Sequence, residues 1–236
     1  MKKKSLLEKS VFLLVGLALC AFVRVPAVSA TESTPPQQII FQYSGVIPAT
    51  SNGNISTDFP APFTGMSLTD QSTRSGGFQA SYSYQFNKWT GADVGYGQFR
   101  YTQSYSSDFG SSSVQSNLRQ GTTDFVFHVP ELLSRIHPYA VVGVGALRFM
   151  PTENANNIDG AASETRSAFI YGGGADIDIS KRVGIRADYR GFKFKAPDFE
   201  LPELTTNMQT RISEPSIGVY FRFSNASFDR KGKSGN

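Results

Sequence analysis

At 236 residues the chain has room for one domain, and its 23 basic and 19 acidic residues leave a formal charge of +4. A single cysteine excludes a disulfide framework and a thiolate metal site. Only one long apolar run is present, which excludes a helical membrane protein but not a barrel whose strands are half apolar.

That run lies at the N-terminus and reads as the core of a secretory signal peptide over residues 1–30. Lys2, Lys3, Lys4 and Lys9 form the basic start, Val11 to Val23 the apolar segment, and Val28-Ser29-Ala30 the small-residue cleavage site. The segment is shorter than the ~20 residues of a spanning helix. Cys20 follows Leu19 rather than a small residue, and the apolar run continues through Ala21 and Phe22, so no lipoprotein signal is expected. With five basic residues and one acidic residue gone, the mature chain keeps eighteen of each. The basic balance therefore belongs to the leader and predicts no nucleic-acid partner.

Residues 31–38 form a short lead-in containing prolines. Eight strands follow at 39–46, 76–86, 90–101, 121–129, 139–150, 166–179, 183–195 and 209–223. In the second, Phe78, Ala80, Tyr82, Tyr84 and Phe86 alternate with Gln79, Ser81, Ser83 and Gln85. The fifth is apolar on both parities and cannot be oriented. In the sixth, Phe169, Tyr171, Ala175, Ile177 and Ile179 oppose Gly172, Gly174, Asp176 and Asp178. In the seventh, Val183, Ile185, Ala187 and Tyr189 oppose Arg186, Asp188 and Arg190, and the parity then flips at Phe192 and Phe194. A bulge at Gly191 explains that flip, as does emergence above a bilayer. Pro215 in the eighth strand has no N–H for the ladder, which predicts a rim position or a local break.

The connections alternate in length. Those after strands one, three, five and seven are long: Ile47–Ser75, Thr102–Gln120, Pro151–Thr165 and Ala196–Met208. Those after strands two and six are three residues each, Asn87-Lys88-Trp89 and Ser180-Lys181-Arg182. Long outer loops over short periplasmic turns are the habit of outer-membrane barrels. If Ser180 to Arg182 is the turn, Ile179 pairs with Val183 and Asp176 lies opposite Arg186.

Alternation alone does not say whether the apolar face meets lipid or a soluble barrel's core. Three features favour lipid. The polar face combines glycines with opposite charges, suited to a narrow interior. Aromatic residues are abundant, 19 Phe and 10 Tyr among them, and many lie near strand ends. The third feature is the last strand, where Ser216, Gly218, Phe221 and Phe223 occupy places one, three, six and eight. This spacing resembles the terminal strand by which outer-membrane β-barrels are recognised for assembly.

The chain as a whole resembles the outer-membrane β-barrel domain family, close in size to OmpA/OmpX-type barrels. The carriers are His137-Pro138-Tyr139 through Gly143-Val144-Gly145, and Gly172-Gly173-Gly174-Ala175-Asp176 with Arg186 to Arg190. The resemblance implies an eight-stranded antiparallel up-and-down transmembrane barrel over residues 39–223, with a short periplasmic tail at 224–236. The thirteen residues after Phe223 leave no space for the peptidoglycan-binding domain that OmpA-like members often add. The location implied is the outer membrane of a Gram-negative-type bacterium. The partners implied are outer-membrane lipid and lipopolysaccharide, and the outer-membrane assembly machinery.

The candidate chemistry is sparse. His128 and His137 are the two histidines and flank the fourth connection. A lipid hydrolase needs a His beside a Ser or an acid at its substrate, and His128 has only Asp124 near it in sequence. Both histidines are read as structural, no metal or other cofactor is expected, and no catalytic residue is assigned. No helical period follows the glycine clusters, which removes a phosphate loop. Asp93, Asp176, Asp178, Arg186, Asp188, Arg190, Glu214 and Arg222 share the inward parity and are expected to plug the lumen. Connection 47–75, with Phe59 and Phe63, is either a surface contact or a lid. The expected function is a non-enzymatic barrel serving envelope integrity, surface contact or adhesion. A barrel enzyme, a small-solute transporter and a soluble periplasmic ligand-binding barrel remain the alternatives.

Overall fold

Alternation becomes strand wherever one side chain in two must avoid what its neighbour seeks. In β1 (Gln37–Pro48), Gln38, Ile40, Gln42, Ser44 and Val46 are buried, while Phe41, Tyr43 and Ile47 lie exposed on the other face. The computed structural model describes residues 37–49, 51–54, 67–72, 75–107, 110–129, 135–152, 162–199 and 209–223. The signal peptide, most of the lead-in, the tail, Phe59 and Phe63 lie outside them.

Nine further strands follow: β2 (Ser51–Asn54), β3 (Ser67–Ser72), β4 (Ser75–Gln85), β5 (Thr90–Ser107), β6 (Gly110–His128), β7 (Ile136–Pro151), β8 (Glu164–Asp178), β9 (Val183–Lys195) and β10 (Gln209–Arg222). The sheet order is β2-β3-β5-β4-β1-β10-β9-β8-β7-β6, and an additional β5–β6 pairing closes it. Eight strands, β1 and β4 to β10, thus form a closed antiparallel barrel, and closure removes the free sheet edges. No helix occurs among the described residues.

The short turns are held by side-chain acceptors. Asn87 Oδ1 accepts from the backbone N–H of Trp89 at 2.8 Å and of Thr90 at 3.0 Å. Ser180 Oγ does the same for Val183 at 3.1 Å and Arg182 at 3.3 Å. Both turns lie at one end of the barrel, the turn end; the opposite end is the loop end.

At the loop end the strands run further than expected. The Thr102–Gln120 connection is strand down to residues 108 and 109, with β5 and β6 paired from Thr90↔Phe127 to Ser107↔Gly110. The Ile47–Ser75 connection carries the β2–β3 hairpin, and β3 pairs with β5 through Thr69↔Ser106. These segments are rich in Ser, Thr, Gln and Asn. Outside the barrel wall no apolar face is required, so the period-2 signal disappears although the ladder continues.

There is no bulge at Gly191. The β9–β10 register is unbroken from Phe221↔Val183 to Gln209↔Lys195. Gly191, Lys193 and Lys195 keep the outward parity of Tyr189, while Phe192 and Phe194 are buried inside. The flip in hydrophobicity marks a change in what fills the lumen, together with a charged outer wall. Pro215 occupies a break in the β1–β10 ladder: pairing runs to Ser44↔Ser216 and resumes at Ile47↔Ser213.

A layered lumen as candidate functional site

Burial is inside-out. Phe78, Val144, Ile217 and Phe221 are exposed on the outer wall, whereas Arg186, Arg190, Asp93 and Asp124 are buried within. An apolar exterior of this extent is stable against lipid and not against water. All eight wall strands send side chains inward, and these stack in layers from the turn end upward.

The lowest layer centres on Asp178. His137 Nε2 lies 3.1 Å from its Oδ2, Arg222 Nη2 donates to Oδ1 at 3.2 Å, and the Tyr220 hydroxyl donates to the same Oδ1. His137 thereby has the acidic neighbour that local sequence lacked, supplied from 41 residues away. One carboxylate shared by an imidazole, a phenol and a guanidinium fits a structural tie. His128 packs its ring 6.0 Å from that of Tyr139.

The next layer is organised by Arg186, which is fully buried. The β8–β9 register sets Asp176 opposite it. Its Nε donates to Asp176 Oδ1 at 2.6 Å and its Nη2 to Oδ2 at 2.8 Å, a bidentate pair. Nη1 reaches across the lumen to Asp93 Oδ2 at 2.9 Å, Nη2 also meets Gln38 Oε1 at 3.4 Å, and the guanidinium sits 4.9 Å above the Tyr139 ring. Tyr139 and the other odd-numbered residues of β7 therefore face inward, which settles that strand's orientation.

Above it, Arg190 Nη1 donates to Asp124 Oδ2 at 2.9 Å, and its Nη2 lies 3.7 Å from both Asp93 and Asp188. Gln42 Nε2 donates to Asp188 Oδ2 at 2.7 Å and to Ser216 Oγ at 3.1 Å. Gln120 Nε2 donates to both oxygens of Glu214, at 3.2 and 3.0 Å. The wall must be thin here. A Cβ on Gly174 would stand 2.6 Å from Asp188 Oδ1 and from the Tyr139 hydroxyl.

The polar layers end under an apolar one, made by Phe99, Leu118, Phe149, Phe192, Phe194 and Ile212 among others. Phe149 is its hub, with ring centroids 5.3 Å from Tyr101 and 5.9 Å from Phe194. Phe199, buried and with φ of 52°, packs edge-on against Phe149 at 6.4 Å. Its strained backbone is fixed by Glu164 Oε2, which accepts the N–H groups of Asp198 at 2.7 Å and Phe199 at 2.9 Å. Arg166 bridges Glu164 and Asp198, the latter at 3.1 Å.

The inward-parity residues thus fall into two groups. Asp93, Asp176, Arg186, Asp188, Arg190 and Glu214 meet in the central layers, and Asp178 with Arg222 forms the turn-end layer. In the last strand, Ser216 and Gly218 point into the lumen, while Phe221 and Phe223 point outward. Sequence reasoning missed Asp124, Gln42 and Gln120 as lumen partners and the whole Phe199 cap. Parity alone marks Asp124, which shares its strand face with Thr122 and Val126.

The chain resembles solved barrels. OprG of Pseudomonas aeruginosa superposes with a TM-score of 0.56 at 12% identity, covering 81% of this chain and 97% of that one. Neisserial surface protein A gives 0.49 at 14% identity, covering 78% and 97%. The N-terminal barrel of Pseudomonas aeruginosa OprF gives 0.46 at 14%, covering 81% and 100%. No curated protein matches the sequence. The family model for the outer membrane protein beta-barrel domain matches residues 15–223. With that match over most of its length and a closed eight-stranded wall, the chain belongs to the outer-membrane β-barrel domain family and is a protein of the Gram-negative outer membrane.

Proposed function

We propose that this barrel is non-enzymatic and serves the integrity of the envelope, with its loop end available for surface contact or adhesion. The observation that carries this reading is the double closure of the lumen. Arg186 and Arg190 cross it in ion pairs with three wall strands, and the Phe149 layer covers them. An eight-stranded barrel has room for side chains rather than for a channel, and these side chains occupy it.

The reading is tested in two steps. Reconstituted into planar bilayers, the protein is expected to give no stepwise ion conductance. A deletion strain is expected to leak periplasmic enzyme, and both the wild-type gene and a His128→Gln/His137→Gln double variant should restore it. Steady conductance by the wild type would favour the transporter alternative. Loss of a lipid modification in the intact double variant would favour the enzyme.

A further inference from the structure

The wall ladders stop at a definite rung, and the chain that follows β9 does not leave the barrel there. Pairing of β9 ends at Lys195↔Gln209 with β10 and at Phe194↔Ala168 with β8. Residues 196–199 belong to no strand, yet Ala196, Pro197 and Phe199 are buried. The segment turns inward over the loop-end mouth, where Phe199 covers one side of the Phe149 ring.

Contacts centred on one carboxylate hold it there. Glu164 Oε2 accepts two consecutive N–H groups, from Asp198 at 2.7 Å and Phe199 at 2.9 Å. Its Oε1 pairs with Arg166, whose Nη2 also lies 3.1 Å from Asp198 Oδ2. The Phe199 carbonyl accepts from the N–H of Ala162 at 2.9 Å.

Two features favour release. Phe199 is held at φ 52°, the left-handed region that is costly for a side chain with a Cβ, and opening returns that cost. Glu164 and Asp198 share one guanidinium, and their side chains are 12% and 16% exposed, so water reaches the bonds that must break. The wall does not depend on the segment. Below it, Phe149 keeps Tyr101 and Phe194 as ring neighbours, and its layer stays over the ion pairs.

We infer that residues 196–199 form a strap that opens and closes over the lumen's mouth independently of the barrel wall, with the Glu164 carboxylate as its catch. Closed, the strap is an autoinhibitory contact that shields the apolar top of the lumen from the cell exterior. Open, it uncovers the Phe149 ring and leaves Arg186 and Arg190 covered. Such opening costs less than unfolding of the wall, because it breaks side-chain contacts and no ladder. The inference goes beyond the envelope role and needs no partner.

The test uses the mature chain in phosphatidylcholine nanodiscs, with residue-resolved amide hydrogen exchange followed by NMR. The Asp198 and Phe199 amides are expected to open at least about a hundredfold more often than those of Phe192 and Ile212 in the wall. In Glu164→Ala the two strap amides should exchange at least about tenfold faster still, with Phe192 and Ile212 unchanged. Glu164→Gln, whose amide oxygen still accepts, should show a smaller increase. A water-soluble paramagnetic agent is expected to broaden the Phe149 ring signals more in Glu164→Ala than in the wild type, a change that a merely structural Glu164 would not give. Folding of each variant is verified by heat-modifiable gel mobility, and the wild-type exchange pattern decides should a variant not fold. Exchange of the strap amides only together with the wall would overturn the proposal. So would unchanged strap exchange in folded Glu164→Ala.

Discussion

Arg186 shows what a single side chain does in this lumen. A guanidinium without water is costly by several kcal/mol, and the bidentate bond to Asp176, the bond to Asp93 and the Tyr139 ring offset that cost only together. Arg186→Met would leave buried Asp176 without its cation and Asp93 with only the 3.7 Å contact to Arg190. We expect a loss of about 3–5 kcal/mol in urea titrations of the vesicle-inserted barrel. Arg186→Lys keeps the charge but loses the fork, so a smaller loss is expected. A double-mutant cycle with Asp176→Asn should give a coupling of about 1 kcal/mol or more, and zero coupling would reduce the pair to a geometric coincidence.

Strand β9 carries the same logic at the scale of an element. From Val183 to Tyr189 its outer residues are apolar and its inner ones are Gly184, Arg186 and Asp188; beyond Gly191 its outer residues are lysines and its inner ones phenylalanines. One unbroken ladder serves both halves, because a strand's two faces answer to different solvents at different heights. Apolar residues give way to lysines outside, while the ion pairs give way to the Phe149 layer inside. Ala187 and Val219 face outward well below the lysines, between Val183 and Lys193 in register. Ala187→Arg and Val219→Arg are each expected to cost about 2–4 kcal/mol of folding stability, or to block insertion, because a guanidinium at mid-depth meets hydrocarbon. Insertion of both variants into vesicles with unchanged urea midpoints would show that this face does not meet lipid.

For the whole molecule, the two ends differ in kind. The turn end closes in the short turns at Lys88 and Lys181, whereas the loop end carries β2, β3 and the upper parts of β5 and β6. With an even number of wall strands, both chain ends of the barrel lie at the turn end, as export through the periplasm requires. Protease added to intact cells is therefore expected to cut within residues 47–75 before the turns at Lys88 and Lys181. Cleavage first at those turns would invert the orientation. Should the order hold, surface contact through connection 47–75 is checked by Phe59→Ser and Phe63→Ser, expected to lower adhesion while leaving the urea midpoint unchanged.

Local pattern alone placed the eight wall strands and separated the polar from the apolar face in those that alternate cleanly, because a membrane barrel writes its two environments into alternate residues; the closed antiparallel wall was implied by the family resemblance. Local pattern also determined the Asp176–Arg186 register, since a three-residue turn leaves only one pairing. Tertiary structure decided what sequence leaves silent. Asp124 meets Arg190 from 66 residues away, and Asp93 meets Arg186 from 93, separations on which no local period reports. The strands beyond the barrel wall escaped notice because their sequence, rich in Ser, Thr, Gln and Asn, carries no apolar period. The apparent break at Gly191 misled because hydrophobicity names the neighbour a side chain wants, and only closure of the barrel shows which neighbour it has.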